Sequence, residues 1–110
     1  MPKQDRRIKS EIRRMAKRIV DQFDPERIIL FGSQARGEAG ADSDVDMLVV
    51  MPVSGSKRDK QLEIRAALDD FTVAKDIIVT TPEDFAWRQE IPGTIERPAV
   101  LEGTVLYARP

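Results

Sequence analysis

Neither cysteine nor histidine occurs anywhere in the 110 residues. Their absence removes disulfides, thiolate chemistry, most zinc sites and every serine–histidine triad. No apolar run is long enough for a membrane span or a signal peptide, so a cytoplasmic protein with no membrane contact is the expectation. Net charge is also nearly missing, at −1, although its distribution is uneven. Lys3, Arg6, Arg7, Lys9, Arg13, Arg14, Lys17 and Arg18 crowd the first twenty residues, while acids dominate from Asp21 to Asp46. What remains for catalysis is carboxylates, hydroxyls, lysine, arginine and backbone groups. Carboxylates favour hard cations such as magnesium.

The length suits one domain over 1–110, and 34% charged residues suit a well-solvated surface. Residues 5–23 read as an amphipathic helix, with Ile8, Ile12, Met15, Ile19 and Phe23 at spacings of three and four. Its opposite face is basic, but no aromatic residue interleaves the charges for base stacking. It therefore reads as a solvated scaffold or partner surface, and no nucleic acid is expected there.

Asp24-Pro25 ends that helix, and Ile28 to Phe31 form a short buried strand. Gly32-Ser33 turns into a helical stretch over Gln34-Ala35-Arg36, closed by Gly37, and Glu38 to Ser43 is a polar loop. Val45 to Met51 is the strongest strand. A second amphipathic helix follows over 57–70, with Leu62, Ile64, Ala66 and Leu68 as its loose apolar side, then a strand from Val73 to Thr80. Thr81 caps a helix with proline at its first position, running to about Glu90. Thr94 to Glu102 is a last helix, and Thr104 to Tyr107 an edge strand. The order α-β-α-β-α-β-α-α-β describes an α/β (α+β) fold, a small mixed β-sheet covered by helices.

The chemistry concentrates in Gly32-Ser33, ten intervening residues, and Asp44-Val45-Asp46. Side chains alternate along a strand, so Asp44 and Asp46 share one face, roughly 6.5–7 Å apart along the backbone. Val45, Met47 and Val49 take the other, core-facing side. At ~5 Å between charges and an effective dielectric near 20, the two carboxylates repel by about 3 kcal/mol. A divalent cation converts that repulsion into attraction. Asp76 opens the strand Asp76-Ile77-Ile78-Val79 and joins the pair if the two strands are neighbours. Asp69 and Asp70 are rivals for this third place, at a helix end where aspartate is often only a terminator. Three carboxylates can hold two magnesium ions.

Gly32 after a buried strand lets a phosphate approach the backbone, and Ser33 at a helix start offers a hydroxyl with free N–H groups behind it. Arg36, one turn on, can touch the same phosphates. Haloacid-dehalogenase phosphatases place the hydrophobic strand before the aspartates, whereas here Met47 to Val50 follow them. Asp-x-Asp glycosyltransferases are much larger. No Walker A lysine follows Gly37.

The run Phe31-Gly32-Ser33-Gln34-Ala35-Arg36-Gly37 and the run Ser43-Asp44-Val45-Asp46-Met47-Leu48-Val49-Val50 resemble the signature of the minimal nucleotidyltransferase family, within the DNA polymerase β-like superfamily. The resemblance spans the whole chain in length and element order. Valine between the aspartates and methionine after them are mild departures. It implies that Asp44, Asp46 and Asp76 bind two magnesium ions with ATP as substrate, and that Gly32 and Ser33, with Arg36, hold the triphosphate. It further implies an antitoxin that adenylylates a tyrosine of a HEPN-domain toxin, in a hetero-oligomer. Transfer to a small molecule such as an aminoglycoside, or silencing by sequestration alone, are the alternatives. Trp87 is expected to cover a helix rather than stack on a base or face a partner, and Tyr107 to pack at the sheet edge.

Overall fold

The computed structural model describes residues 3–36 and 44–110, with side chains for 7–35 and 44–110. The elements run α1 (Lys3–Phe23), β1 (Arg27–Phe31), α2 (Ser33–Arg36), β2 (Val45–Val50), α3 (Lys57–Ala67), β3 (Lys75–Thr80), α4 (Pro82–Arg88), α5 (Glu96–Glu102) and β4 (Thr104–Ala108). All nine follow the expected order. The turn expected at Gly37 and the loop over Glu38 to Ser43 lie outside the described residues.

The strands form one mixed sheet in the order β3-β2-β1-β4. β1 pairs antiparallel with both β2 and β4, and β2 pairs parallel with β3. A parallel pair needs a crossover, which α3 supplies. Because side chains alternate, β1, β2 and β3 each feed two cores. Ile28, Leu30, Val45, Met47, Val49, Ile77 and Val79 meet Ile12, Met15, Ala16 and Ile19 of α1 and Ile64 of α3. Ile29, Leu48 and Val50, with Phe31 and Ile78, meet Phe85 of α4 and Ala99 of α5 on the opposite face. Full burial of a side chain such as Met15 or Ile19 contributes about 1.5–3 kcal/mol before ordering costs.

The caps explain where helices begin. Ser56 accepts a hydrogen bond from the Asp59 amide at 3.2 Å at the start of α3, and Thr81 does the same for Asp84 at the start of α4. Boundaries shift by a few residues from the sequence reading: α3 closes at Ala67, β3 opens at Lys75, α4 stops at Arg88 and α5 starts at Glu96. The apolar side expected for α3 needs correction. Ile64 and Leu68, four apart, are buried, whereas Leu62 and Ala66 are exposed. Residues 62, 64, 66 and 68 have a period of two, which a helix of 3.6 residues per turn cannot place on one face.

Gly103 sits where the end of α5 meets β1. A Cβ there would overlap the Ala99 carbonyl oxygen of α5 and stand 2.6 Å from Ile29 Cγ2 and 2.8 Å from the Leu30 carbonyl oxygen. Only a residue without a side chain lets α5 turn into β4 so close to the sheet.

Candidate active site

Register sets the geometry. Asp46 is the β2 partner of Phe31 in β1 and of Asp76 in β3, so these three residues form one row across three strands. The row lies on the sheet face of Leu48, Val50 and Ile78, and its Phe31 packs against the cluster that holds Phe85 and Ala99. Asp46 is half-buried, and Asp44 and Asp76 are exposed. Adjacent strands lie about 4.8 Å apart, which brings the Asp46 and Asp76 backbones to that spacing. Lys75, next in sequence, does not neutralise them: its Nζ donates to the carbonyls of Phe71 at 2.9 Å and Val73 at 3.3 Å.

Beside this row β1 ends and Gly32 turns the chain with φ +75° into α2. The Ala35 amide donates to the Gly32 carbonyl at 3.1 Å, closing the turn. Since α2 is a single turn of four residues, its dipole is small. What Ser33 offers an anion is a hydroxyl and nearby backbone N–H groups. Arg36 is the last residue of α2, and its side chain lies outside those described.

Asp76 is in register with Asp46, and Asp69 and Asp70 are not. Asp70 forms an ion pair with Arg18 of α1, and that hydrogen bond holds its carboxyl below the ordinary aspartate range. Asp69 is exposed in the same turn after α3. Neither belongs to the row containing Asp46. Among the described residues, no group of three or more Asp, Glu, His or Cys side chains is gathered closely enough to hold a metal ion. Asp46 and Asp76 thus share a register position, and Asp44 precedes β2 by one residue, without the three forming a closed cage. Their oxygen-only donors suit a hard divalent cation whose shell is completed by other oxygens.

Three features escaped the sequence reading. Glu96 is buried, and it accepts hydrogen bonds from Thr80 Oγ1 at 2.7 Å and from Arg88 Nε at 3.1 Å. Burial pushes its pKa up, but the bonds from Thr80 and Arg88 outweigh that and hold it below the usual glutamate value. This network ties the end of β3 to α4 and α5. Second, Phe71 lies beneath the guanidinium groups of Arg14 and Arg18, at 5.3 and 4.7 Å from its ring centre. The ring is buried, so it steadies the basic helix and is closed to bases.

Third, Trp87 is 53% exposed, which corrects the expectation that it covers a helix. Its Nε1 donates to Asp84 Oδ1 at 3.3 Å, and Asp84 is in turn ion-paired with Lys57. The polar edge of the ring is anchored and the Arg88 guanidinium stands 5.5 Å from the ring centre, while about half of the side chain stays in solvent. Tyr107 behaves as expected, half-buried against the α1 core at the sheet edge. No helix among the described residues is long and apolar enough to cross a membrane.

Comparison with known proteins agrees with this architecture. A putative protein adenylyltransferase of Methanocaldococcus jannaschii, MJ0141, is 36% identical over 55 residues, which cover 50% of this chain and 54% of that protein. The match thus spans about half the length of this curated relative. Among solved structures, a putative nucleotidyltransferase from Sulfolobus solfataricus superposes with a TM-score of 0.69 at 18% identity, covering 96% of this chain and 85% of that one. A toxin–antitoxin structure with AMP-PNP gives 0.54 at 20% identity over 90% and 73% of the two chains. The complex of a tri-AMPylated Shewanella oneidensis HEPN toxin with its MNT antitoxin gives 0.51 at 17% identity over 92% and 72%. At these identities the structures share the fold. The family model described as nucleotidyltransferase domain matches residues 12–101, and the chain belongs to that family.

Proposed function

We propose that this nucleotidyltransferase is a magnesium-dependent protein adenylyltransferase of the antitoxin type, transferring AMP from ATP to a tyrosine of a cognate HEPN-domain toxin. The observation that carries the reading is the direct register of Asp46 with Asp76 beside the Gly32-Ser33 turn. That arrangement lies within the stretch matched by the nucleotidyltransferase model. The curated relative named as a protein adenylyltransferase, and the fold shared with antitoxins bound to HEPN toxins, support a protein acceptor.

In this reading Asp44, Asp46 and Asp76 would hold two divalent ions, whose chemistry would be charge neutralisation at the triphosphate and activation of the attacking hydroxyl. Gly32 and Ser33, with Arg36, hold the β- and γ-phosphates through N–H, hydroxyl and guanidinium donors. The acceptor oxygen forms a bond to the α-phosphorus as the bond from that phosphorus to the bridging oxygen breaks. Pyrophosphate leaves, and Asp76 helps to accept the hydroxyl proton.

One surface feature favours a protein acceptor over a small molecule. Trp87, Ile91, Ile95, Val100 and Leu101 are large apolar residues left exposed on and between α4 and α5. These helices cover the sheet face that carries the aspartates, so a protein bound there lies beside the site. Sequestration of the toxin can accompany transfer across the same surface. A cytoplasmic location belongs to this reading. The test is incubation with ATP, magnesium and the protein encoded by the adjacent gene, followed by intact mass. Mass increments of AMP on a tyrosine of the partner support the reading, and an unmodified partner in a stable complex supports sequestration alone.

A further inference from the structure

Gly32 faces the side chain of Asp46. An ideal Cβ on Gly32 would overlap Asp46 Oδ2 and stand 3.3 Å from Asp46 Cγ and 3.6 Å from its Cβ. All three atoms nearest that position belong to Asp46. The ordinary reason for a glycine between a buried strand and a phosphate site is approach of the ligand to the backbone. Here the space a methyl group would fill already holds the carboxylate.

The geometry points to Gly32 as a positioning residue for Asp46: its missing side chain is the seat against which the carboxylate rests, opposite Asp76. Asp46 cannot yield through its backbone, because it is paired with Phe31 on one side and Asp76 on the other. A methyl at position 32 meets first the far end of the Asp46 side chain, which turns more readily than its paired backbone shifts. Magnesium demands oxygen ligands at about 2.0–2.1 Å in near-octahedral geometry, so a carboxylate turned by an ångström no longer serves. The inference rests on the reading of Asp46 as a metal ligand, and it assigns Gly32 a task that precedes nucleotide binding. A glycine that only admits phosphate leaves metal affinity untouched when no nucleotide is present.

The test measures Mn²⁺ affinity without nucleotide, by the paramagnetic resonance of the free ion, for the wild type, Asp46→Asn, Gly32→Asn and the double variant. Gly32 has positive φ, which asparagine tolerates better than most residues, and asparagine carries the same Cβ. Gly32→Asn is expected to weaken Mn²⁺ binding at least fivefold, and the double variant to bind no more weakly than Asp46→Asn alone. Wild-type Mn²⁺ affinity in Gly32→Asn, together with a weakened Asp46→Asn, overturns the seat and leaves the metal reading standing. Unchanged affinity in Asp46→Asn overturns both.

A second measurement covers a variant that folds poorly. The fall in melting temperature caused by Gly32→Ala is expected to be smaller in an Asp46→Ala background, where the overlapping carboxylate is gone. An equal fall in both backgrounds overturns the seat.

Discussion

Asp46 of β2 stands directly opposite Asp76 of β3, thirty positions along the chain, and α3 is the crossover that makes the two strands parallel neighbours. Two carboxylates at strand spacing on one face carry an electrostatic cost that a divalent cation removes. Asp44→Asn or Asp46→Asn should lower nucleotidyl transfer by roughly 10²-fold or more while leaving the circular dichroism spectrum unchanged. Retention of most activity by either variant, with magnesium as the only metal, contradicts the assignment.

Glu96 provides a prediction about stability and pH. Its folded pKa lies below the ordinary value of 4.5, so its contribution is complete above about pH 4.5 and is lost as pH falls through the folded value. Glu96→Gln should cost about 1–2 kcal/mol at neutral pH and remove part of the acid sensitivity below 4.5. Arg88→Met should cost more than Glu96→Gln, because it leaves the buried carboxylate with Thr80 as its remaining side-chain donor. Urea titrations across pH check both, and equal pH dependence in Glu96→Gln and the wild type contradicts the network.

Gly103→Ala tests the contact between α5 and β1. The added methyl would press on Ile29 Cγ2 and the Leu30 carbonyl, and overpacking of this kind costs about 1–3 kcal/mol. For a chain of this size the melting temperature should fall by roughly 5–15 °C. No change in the melt would contradict the close approach of Gly103 to the Ala99 carbonyl and to β1.

Much of this was legible in advance because it depends on local pattern. The three- and four-residue spacing of Ile12, Met15 and Ile19 gave α1, and the alternation through Val45, Met47 and Val49 gave β2 its inward face. Parity along one strand puts Asp44 and Asp46 on one face, whereas β2 itself opens at Val45, one residue after Asp44. Their relation to Asp76 required knowing that β2 and β3 pair, which no local pattern contains. The same limit hid Phe71 under Arg14 and Arg18, since the aromatic ring lies more than fifty residues from the charges it meets. Trp87 was misjudged because burial depends on what a helix packs against, and here Phe85 turns inward while Trp87 turns out. Gly32 was read for its freedom towards a ligand, and the structure adds the carboxylate that fills its missing side chain.

The basic helix should not bind RNA tightly on its own. Arg18 is paired with Asp70, Lys17 with Asp21 at 3.2 Å, and the nearby aromatic ring of Phe71 is buried. Filter binding at physiological salt should show weak affinity for single-stranded RNA. Tight binding that Arg13→Glu with Arg14→Glu abolishes contradicts this.

The central claim is that Asp44, Asp46 and Asp76 build a metal–nucleotide site with the Gly32-Ser33 turn. A thermal melt with magnesium, with ATP plus chelator, and with both together tests it most directly. Magnesium alone should bind weakly, because the carboxylates are not gathered into a cage. ATP phosphates supply further oxygen ligands, so each ligand improves the other's affinity. A ligand at one hundred times its dissociation constant adds about 2.7 kcal/mol, and this should raise the melting temperature by roughly 10 °C or more. The shift with both ligands should exceed the sum of the separate shifts and disappear in Asp46→Asn. An additive or absent shift in the wild type, or the same shift in the variant, contradicts it.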